Sequence, residues 1–480
     1  MRRLVPRQLR PSTSEGTLRR DLGFWGTWAL GVGGMAPTLA MSVTGVQASR
    51  LLGQAAPLAY VLAGIGMVFI GYGFVRLSAA FSHAGSVYAY IGKTLGPRSG
   101  FFTTWALLGT YIVFPPVSIL GMAVFTQAFL RHAGIAESSD WLPIALASWL
   151  LVWLLASRGV KMTAASVVAV EIVSLALIVA LMVVIVVALG GDDAPRGQTL
   201  GTEVFDVPEG VGLATIALAA TFGILSFGGF ESAMSVGEES HRPRRLIPGS
   251  IAATVAFGAT FYVACIATQT LGFGTDEEGV AAFAGSGSPL GDLARSYVGT
   301  AMAALLDVGA VLSSVGAALV GVAVMSRTLF ALGRDRVFPG YLAAISDRTG
   351  TPIAAVTTSM ALTLVQLVVF GVAGTSALDA FFYLATIGTL SLLVIYIVVS
   401  VSALRLVLGR RGLRARLEIV LPVGGAFVAG YVLYRNLIPV PDHPFNLFPY
   451  IVAGWLVAGL AISVFVAGLA ERISARLAAS

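Results

Sequence analysis

The chain has 480 residues, 57% of them hydrophobic and 11% charged, with a net charge of +6 and a mean hydropathy of +0.87. That is too little polar surface to cover a water-soluble globule, so composition places the chain in a lipid bilayer. The apolar residues come in separate runs of about 20, enough for a helix to cross hydrocarbon and without the alternation of a membrane barrel, so the fold class is all-α integral membrane.

In chain order, twelve transmembrane helices are expected at 25–47, 56–77, 99–130, 141–156, 166–189, 212–236, 248–271, 297–329, 352–372, 378–406, 419–434 and 449–470. Arg2, Arg3, Arg7, Arg10, Arg19 and Arg20 precede the first run and read as a cytoplasmic tail, residues 1–22, rather than as a cleaved signal. With that tail inside, all of the 30 Lys and Arg except Arg50, Arg131, Arg196, Arg295 and Arg435 fall in cytoplasmic connections or in the C-terminal tail, 471–480. The positive-inside rule therefore fits twelve crossings of the inner (cytoplasmic) membrane with both termini cytoplasmic. It also accounts for the basic charge without nucleic acid as a partner. Cys265, the single cysteine, lies within an apolar run, and His83, His132, His241 and His443 fall in separate connections. No disulfide within the chain, metal or cofactor is expected.

The first run carries Val32-Gly33-Gly34-Met35 with Pro37 just after it, and the sixth carries Phe227-Gly228-Gly229-Phe230 followed by Glu231. Glycine pairs in corresponding spans of two halves point to broken helices that build a site near the bilayer midplane. The alternative is close helix packing on small residues. Pro37 weighs toward a break, because it has no N–H and clashes with the preceding turn. Glu171, Glu231 and Asp307 are the acids placed at membrane depth, where an ionisable group is a functional candidate.

Three stretches carry a family resemblance. The first is Ser226-Phe227-Gly228-Gly229-Phe230-Glu231-Ser232 with Gly237-Glu238-Glu239-Ser240 and Arg242-Pro243-Arg244-Arg245-Leu246-Ile247-Pro248. The second is Ser326-Arg327-Thr328-Leu329-Phe330-Ala331-Leu332-Gly333-Arg334-Asp335, with Pro339 and Thr349-Gly350-Thr351-Pro352. The third is Ala84-Gly85-Ser86-Val87-Tyr88-Ala89-Tyr90 with Leu95-Gly96. From Asp21 to about Ala470 the chain resembles the amino acid-polyamine-organocation superfamily of transporters, and in particular bacterial amino acid permeases.

The resemblance implies a LeuT-type five-plus-five inverted repeat with helices 1 and 6 broken. The repeats would lie at about 23–190 and 211–406 within a transporter domain of 23–470, with helices 11 and 12 at about 417–470. It implies a first-helix site of Gly33, Gly34, Met35, Ala36 and Thr38, whose amides meet a substrate carboxylate. A sixth-helix site of Ser226, Phe227, Gly228, Gly229 and Phe230 would offer carbonyls to an amine. The implied function is secondary active transport of an amino acid or related amine by alternating access, as ion-coupled symport or exchange.

The chain departs from the family pattern in two places. Where many permeases continue with further glycines it reads Pro37-Thr38-Leu39, which makes a poorer carboxylate cradle and leaves room for an amine, a polyamine or an ω-amino acid. The fifth span also has no internal lysine near Ser174. The coupling ion is then H+ or Na+. Glu231 is a candidate proton carrier, with a structural role at the break as the alternative. Ser313-Ser314 resemble the hydroxyl pair of sodium-coupled members, with bonding to their own helix as the alternative. Glu171 and Asp307 are expected to meet neighbouring helices or interfacial water. A passive facilitator or channel, or a nontransporting sensor, is the competing function. No H-E-x-x-H or G-x-S-x-G arrangement supports an enzyme.

Overall fold

The computed structural model describes residues 23–81, 87–158, 164–191, 193–236, 242–334, 337–346, 351–410 and 412–465. Both tails, Ala84, Gly85 and Ser86, Lys161, Gly237 to Ser240, Asp335, and Thr349 and Gly350 lie outside the described residues. The helices are α1 (Phe24–Met35), α2 (Pro37–Met41), α3 (Thr44–Leu52), α4 (Ala56–Ala80), α5 (Val87–Leu95), α6 (Pro97–His132), α7 (Trp141–Ser157), α8 (Ala164–Gly190) and α9 (Leu213–Ser226). They continue with α10 (Pro243–Phe273), α11 (Glu277–Gly285), α12 (Pro289–Tyr297), α13 (Thr300–Arg334), α14 (Ile353–Val372), α15 (Ala377–Leu408), α16 (Leu413–Glu418), α17 (Val420–Arg435) and α18 (Phe448–Phe465).

Among the described residues, ten helices are long and apolar enough to cross a membrane, and α7 is a shorter apolar helix. The first expected span is absent from those ten because it is broken into α1, α2 and α3. Large apolar side chains such as Val173, Val187, Phe427 and Phe465 lie exposed on the outer faces of α8, α17 and α18. On a soluble protein such faces would demand a partner; here hydrocarbon covers them.

Small residues bring the inner helices together. A Cβ on Gly64 of α4 would lie 3.2 Å from the Cβ of Ala259 on α10, so the two backbones approach closely there. The rings of Trp105 and Trp455 stack at 4.5 Å and exchange indole hydrogen bonds to each other's carbonyls, at 2.8 and 2.9 Å, which ties α18 to α6. Inside α6, Pro115 and Pro116 interrupt the backbone ladder, and Gln366 Nε2 of α14 donates to the Ile112 carbonyl at 3.1 Å.

The loop helices α11 and α12 sit across one end of this bundle. Phe283 of α11 is buried against Gly45 of α3, and Arg50 donates to the Ala284 carbonyl at 2.9 Å. The buried His132, at the end of α6, anchors α12. Its Nδ1 lies 2.6 Å from Asp307 of α13 and its Nε2 2.9 Å from Asp292 of α12. Ser288 donates to Asp307 at 2.6 Å, and Ser286 and Arg131 donate to Asp292 at 2.5 and 3.1 Å. An imidazole with a carboxylate at each nitrogen donates from both and is the cation of the cluster. Burial works to raise the Asp292 carboxyl, but the bonds from His132 and Ser286 and the charge of Arg131 outweigh it and hold the group below the usual carboxylate range.

Asp307 thus meets neighbouring helices, one of the two expectations for it. Removing the imidazole leaves the buried Asp307 carboxylate without its charged partner, so His132→Ala should destabilise the fold by about 3–5 kcal/mol. Scanning fluorimetry in detergent should read this as a clear fall in Tm; an unchanged Tm would contradict the charge assignment.

Candidate functional site

Both glycine pairs lie at helix interruptions. α1 ends at Met35, Ala36 takes the left-handed conformation at φ 45°, and Pro37 starts α2. α9 ends at Ser226, Gly229 has φ 101°, and a 3₁₀ segment follows over Phe230–Val236. The two breaks touch: a Cβ on Gly34 would lie 2.6 Å from the Gly229 carbonyl oxygen, and a Cβ on Gly229 would lie 2.7 Å from the Gly34 carbonyl carbon. Glycine at these positions is a steric requirement of the crossing, and at Gly229 a backbone requirement as well.

Beside the breaks lies a cavity of about 640 Å³. Gly33, Gly34, Met35, Ala36, Ser226, Gly228 and Gly229 line it, as does Glu231. The rest of the wall is largely apolar, from Leu39, Phe114, Val117, Leu225, Val320 and Phe381, with Tyr111 and Ser118 added from α6. At one end the cavity reaches the exposed Arg327 of α13. At the other, Tyr60 donates to Thr44 at 2.7 Å and Thr44 and Ser226 share a hydrogen bond at 3.0 Å, which pins α3 to α9.

The remaining expected residues do not line it. Phe227 is fully buried and packs edge-on to Tyr262 at 5.0 Å, and Phe230 packs on Phe74 at 4.8 Å. Ser314 donates to its own helix, to the Ala310 carbonyl at 2.7 Å. Thr38 and Ser313 turn instead to Glu171 of α8, which is 2% exposed. Glu171 Oε2 accepts from the Thr38 amide at 3.3 Å and from the Thr38 hydroxyl at 2.8 Å, and Oε1 accepts from the Ser313 hydroxyl. Ser313 Oγ in turn accepts from the Leu39 amide at 3.3 Å. Each such hydrogen bond contributes about 0.5–1.5 kcal/mol, so Glu171 holds the restart of the first helix against α8 and α13.

Glu231 sits differently. Its Oε2 accepts from the Gly229 amide at 3.2 Å, beside the second break and within the cavity wall. Sequence reasoning identified the glycine breaks but gave Glu171 only a neighbouring helix, since its partners stand 133 and 142 positions away. It did not name Phe114, Val117, Ser118 and Phe381; the first three adjoin the Pro115-Pro116 pair of the third run, and Phe381 carries no such signal.

The chain is thus an all-helical protein with ten candidate membrane spans among the described residues and a cavity beside two helix breaks, and sequence comparison gives its class. The profile of the amino acid permease family matches residues 27–431, and the chain belongs to that family, within the amino acid-polyamine-organocation superfamily. It is similar to the branched-chain amino acid permease BcaP of Bacillus subtilis, 27% identical over 82% of this chain and 83% of that protein. The methylthioribose transporter of Bacillus subtilis is 24% identical over 78% of this chain and 79% of its own. The low-affinity putrescine importer PlaP of Escherichia coli is 26% identical over 68% of this chain and 70% of its own.

Proposed function

We propose that this protein is a secondary transporter of an amino acid or related amine that works by alternating access, coupled to an ion in symport or exchange. The observation that carries the reading is the cavity walled by two broken helices at their mutual contact, the kind of place where half-helices hold a solute at bilayer depth. The named substrates of two of these relatives, branched-chain amino acids and putrescine, carry an amine, whereas methylthioribose does not.

In this reading α7 and the broken α1 to α3 span the membrane beside the ten long helices. That gives twelve crossings with both termini cytoplasmic, and the segments up to α8 and from α9 to α15 are the two repeats. The end of the cavity at Arg327 then faces the cytoplasm, and the structure is inward-facing. Reporter fusions after Arg416 and after Asp442 are expected to report opposite sides of the membrane; the same side for both would reject the map.

The coupling ion is H+ or Na+, and the surroundings of Ser313 favour the proton. Ser313 Oγ donates to Glu171 and already accepts from the Leu39 amide, which leaves it one lone pair for a cation, and Ser314 donates to its own helix. Glu231, in the cavity wall, is the proton carrier of this reading, and it is the counter-charge to the substrate amine only in its ionised form, when it has given up that proton. Uptake by reconstituted liposomes at matched and opposed pH and sodium gradients tests this. Accumulation driven by a pH gradient in sodium-free buffer is expected, and a strict requirement for sodium would replace the proton by the metal ion.

A further inference from the structure

The Ala36 and Phe227 amides bond to the carbonyls of Gly33 and Ile224, at 3.2 and 3.0 Å, and the donors after them can be followed in turn, because every buried N–H needs an acceptor. Pro37 has none. The Thr38 amide is bonded to Glu171, the Leu39 amide to Ser313 and the Ala40 amide to the Ala36 carbonyl at 3.0 Å. At the second break the amides of Gly228, Phe230 and Ser232 bond to the carbonyls of Leu225, Phe227 and Gly229, at 2.9, 3.1 and 2.9 Å, and the Gly229 amide to Glu231. The cavity hydroxyls of Ser118 and Ser226 donate to carbonyls of their own helices, those of Phe114 and Phe222.

Among the described wall residues, what is left to meet an anion is the Tyr111 hydroxyl and, at the mouth, Arg327. What is left to meet a cation is a carboxylate, Glu231, in the wall itself. Donor-rich ligands therefore fit this site and acceptor-rich ones do not.

From this accounting we infer that Glu171 is a specificity-determining residue: its built-in carboxylate takes up the first-helix amides, and the substrate is an organic amine that lacks an α-carboxylate. The inference rests on the transport reading above and names the substrate class of the same cavity. Glu171 touches no substrate and acts through Thr38 and, by way of Ser313, through Leu39. A substrate carboxylate brought to these amides would have to displace Glu171 and Ser313 from donors they already occupy and leave the buried Glu171 carboxyl without its partners, which is disfavoured. The amine end meets Glu231, and the apolar wall of Met35, Leu39, Phe114, Val117 and Phe381 receives a hydrocarbon body.

The test is competition between amino acids and their decarboxylated products for the purified protein in liposomes, using leucine with 3-methylbutylamine and ornithine with putrescine. In each pair the amine should compete at least about tenfold better than the amino acid, and N-acetylation of a monoamine should abolish competition. Glu171→Ala combined with Ser313→Ala frees both amides and should move the ratio toward the amino acid by about tenfold or more. Glu171→Gln, which keeps the volume and one acceptor for Thr38, should move it less and serves where the double variant does not fold. An amino acid that competes as well as its amine in the wild type, or a folded double variant with an unchanged ratio, overturns the inference alone. Failure of every amine and amino acid to bind or enter overturns the transport reading and this inference with it.

Discussion

Gly229→Val is expected to abolish substrate binding and uptake while the protein still inserts and purifies as a folded species. The φ of 101° at this residue is closed to a β-branched side chain, and the added Cβ would run into the Gly34 carbonyl. Neither neighbour can give way, since both are backbone. The contact between the two breaks must open, and the walls of the cavity move with it. A shift of about 1 Å at a binding constellation costs on the order of a hundredfold, so uptake should fall by that factor or more. Radiolabelled uptake measures it, with a monodisperse elution profile as the folding control. Uptake near the wild-type rate would show that the contact of Gly34 with Gly229 is no part of the site.

The second large effect is expected at Glu231. Its carboxylate accepts from the Gly229 amide and is the one acid among the described residues of the cavity wall. Glu231→Gln keeps an oxygen for that amide and removes the charge, so the break stays formed while the counter-charge to an amine is lost. A charged hydrogen bond of about 1.5–3 kcal/mol corresponds to a loss of roughly ten- to a hundredfold in substrate affinity. If Glu231 also carries the coupling proton, the pH dependence of uptake vanishes in the same variant. An unchanged pH profile with unchanged affinity would reduce Glu231 to a cap on Gly229.

The breaks were legible in the sequence because they are written in residues with a single backbone meaning. A glycine pair in each of two spans, with Pro37 after one of them, leaves few conformations for an uninterrupted helix. That the two pairs face each other followed from the repeat reading, but the close backbone contact of Gly34 with Gly229 was not legible, since it depends on the crossing of α1 with the segment after α9. Phe227 and Phe230 flank the second glycine pair and were placed in the site by the family resemblance. Yet a 3₁₀ turn sends the second of them to Phe74 and leaves the first against Tyr262. Glu171 shows the opposite case. An acid in an apolar run marks itself as unusual, but which of the facing helices supplies its donors is decided by tertiary packing alone. The departure Pro37-Thr38-Leu39 gained its physical meaning from that packing: the missing N–H and the two occupied amides belong to one arrangement.

The central claim is that the cavity between the broken helices carries an amine across the membrane, and solute uptake tests it most directly. Purified protein in sodium-free liposomes, acidic outside and neutral within, should accumulate labelled 3-methylbutylamine or putrescine above the level of protein-free liposomes. Collapse of the pH gradient should remove the accumulation, and Gly229→Val should show none. Equal solute levels in protein-containing and protein-free liposomes, for these amines and for leucine and ornithine alike, would contradict the account.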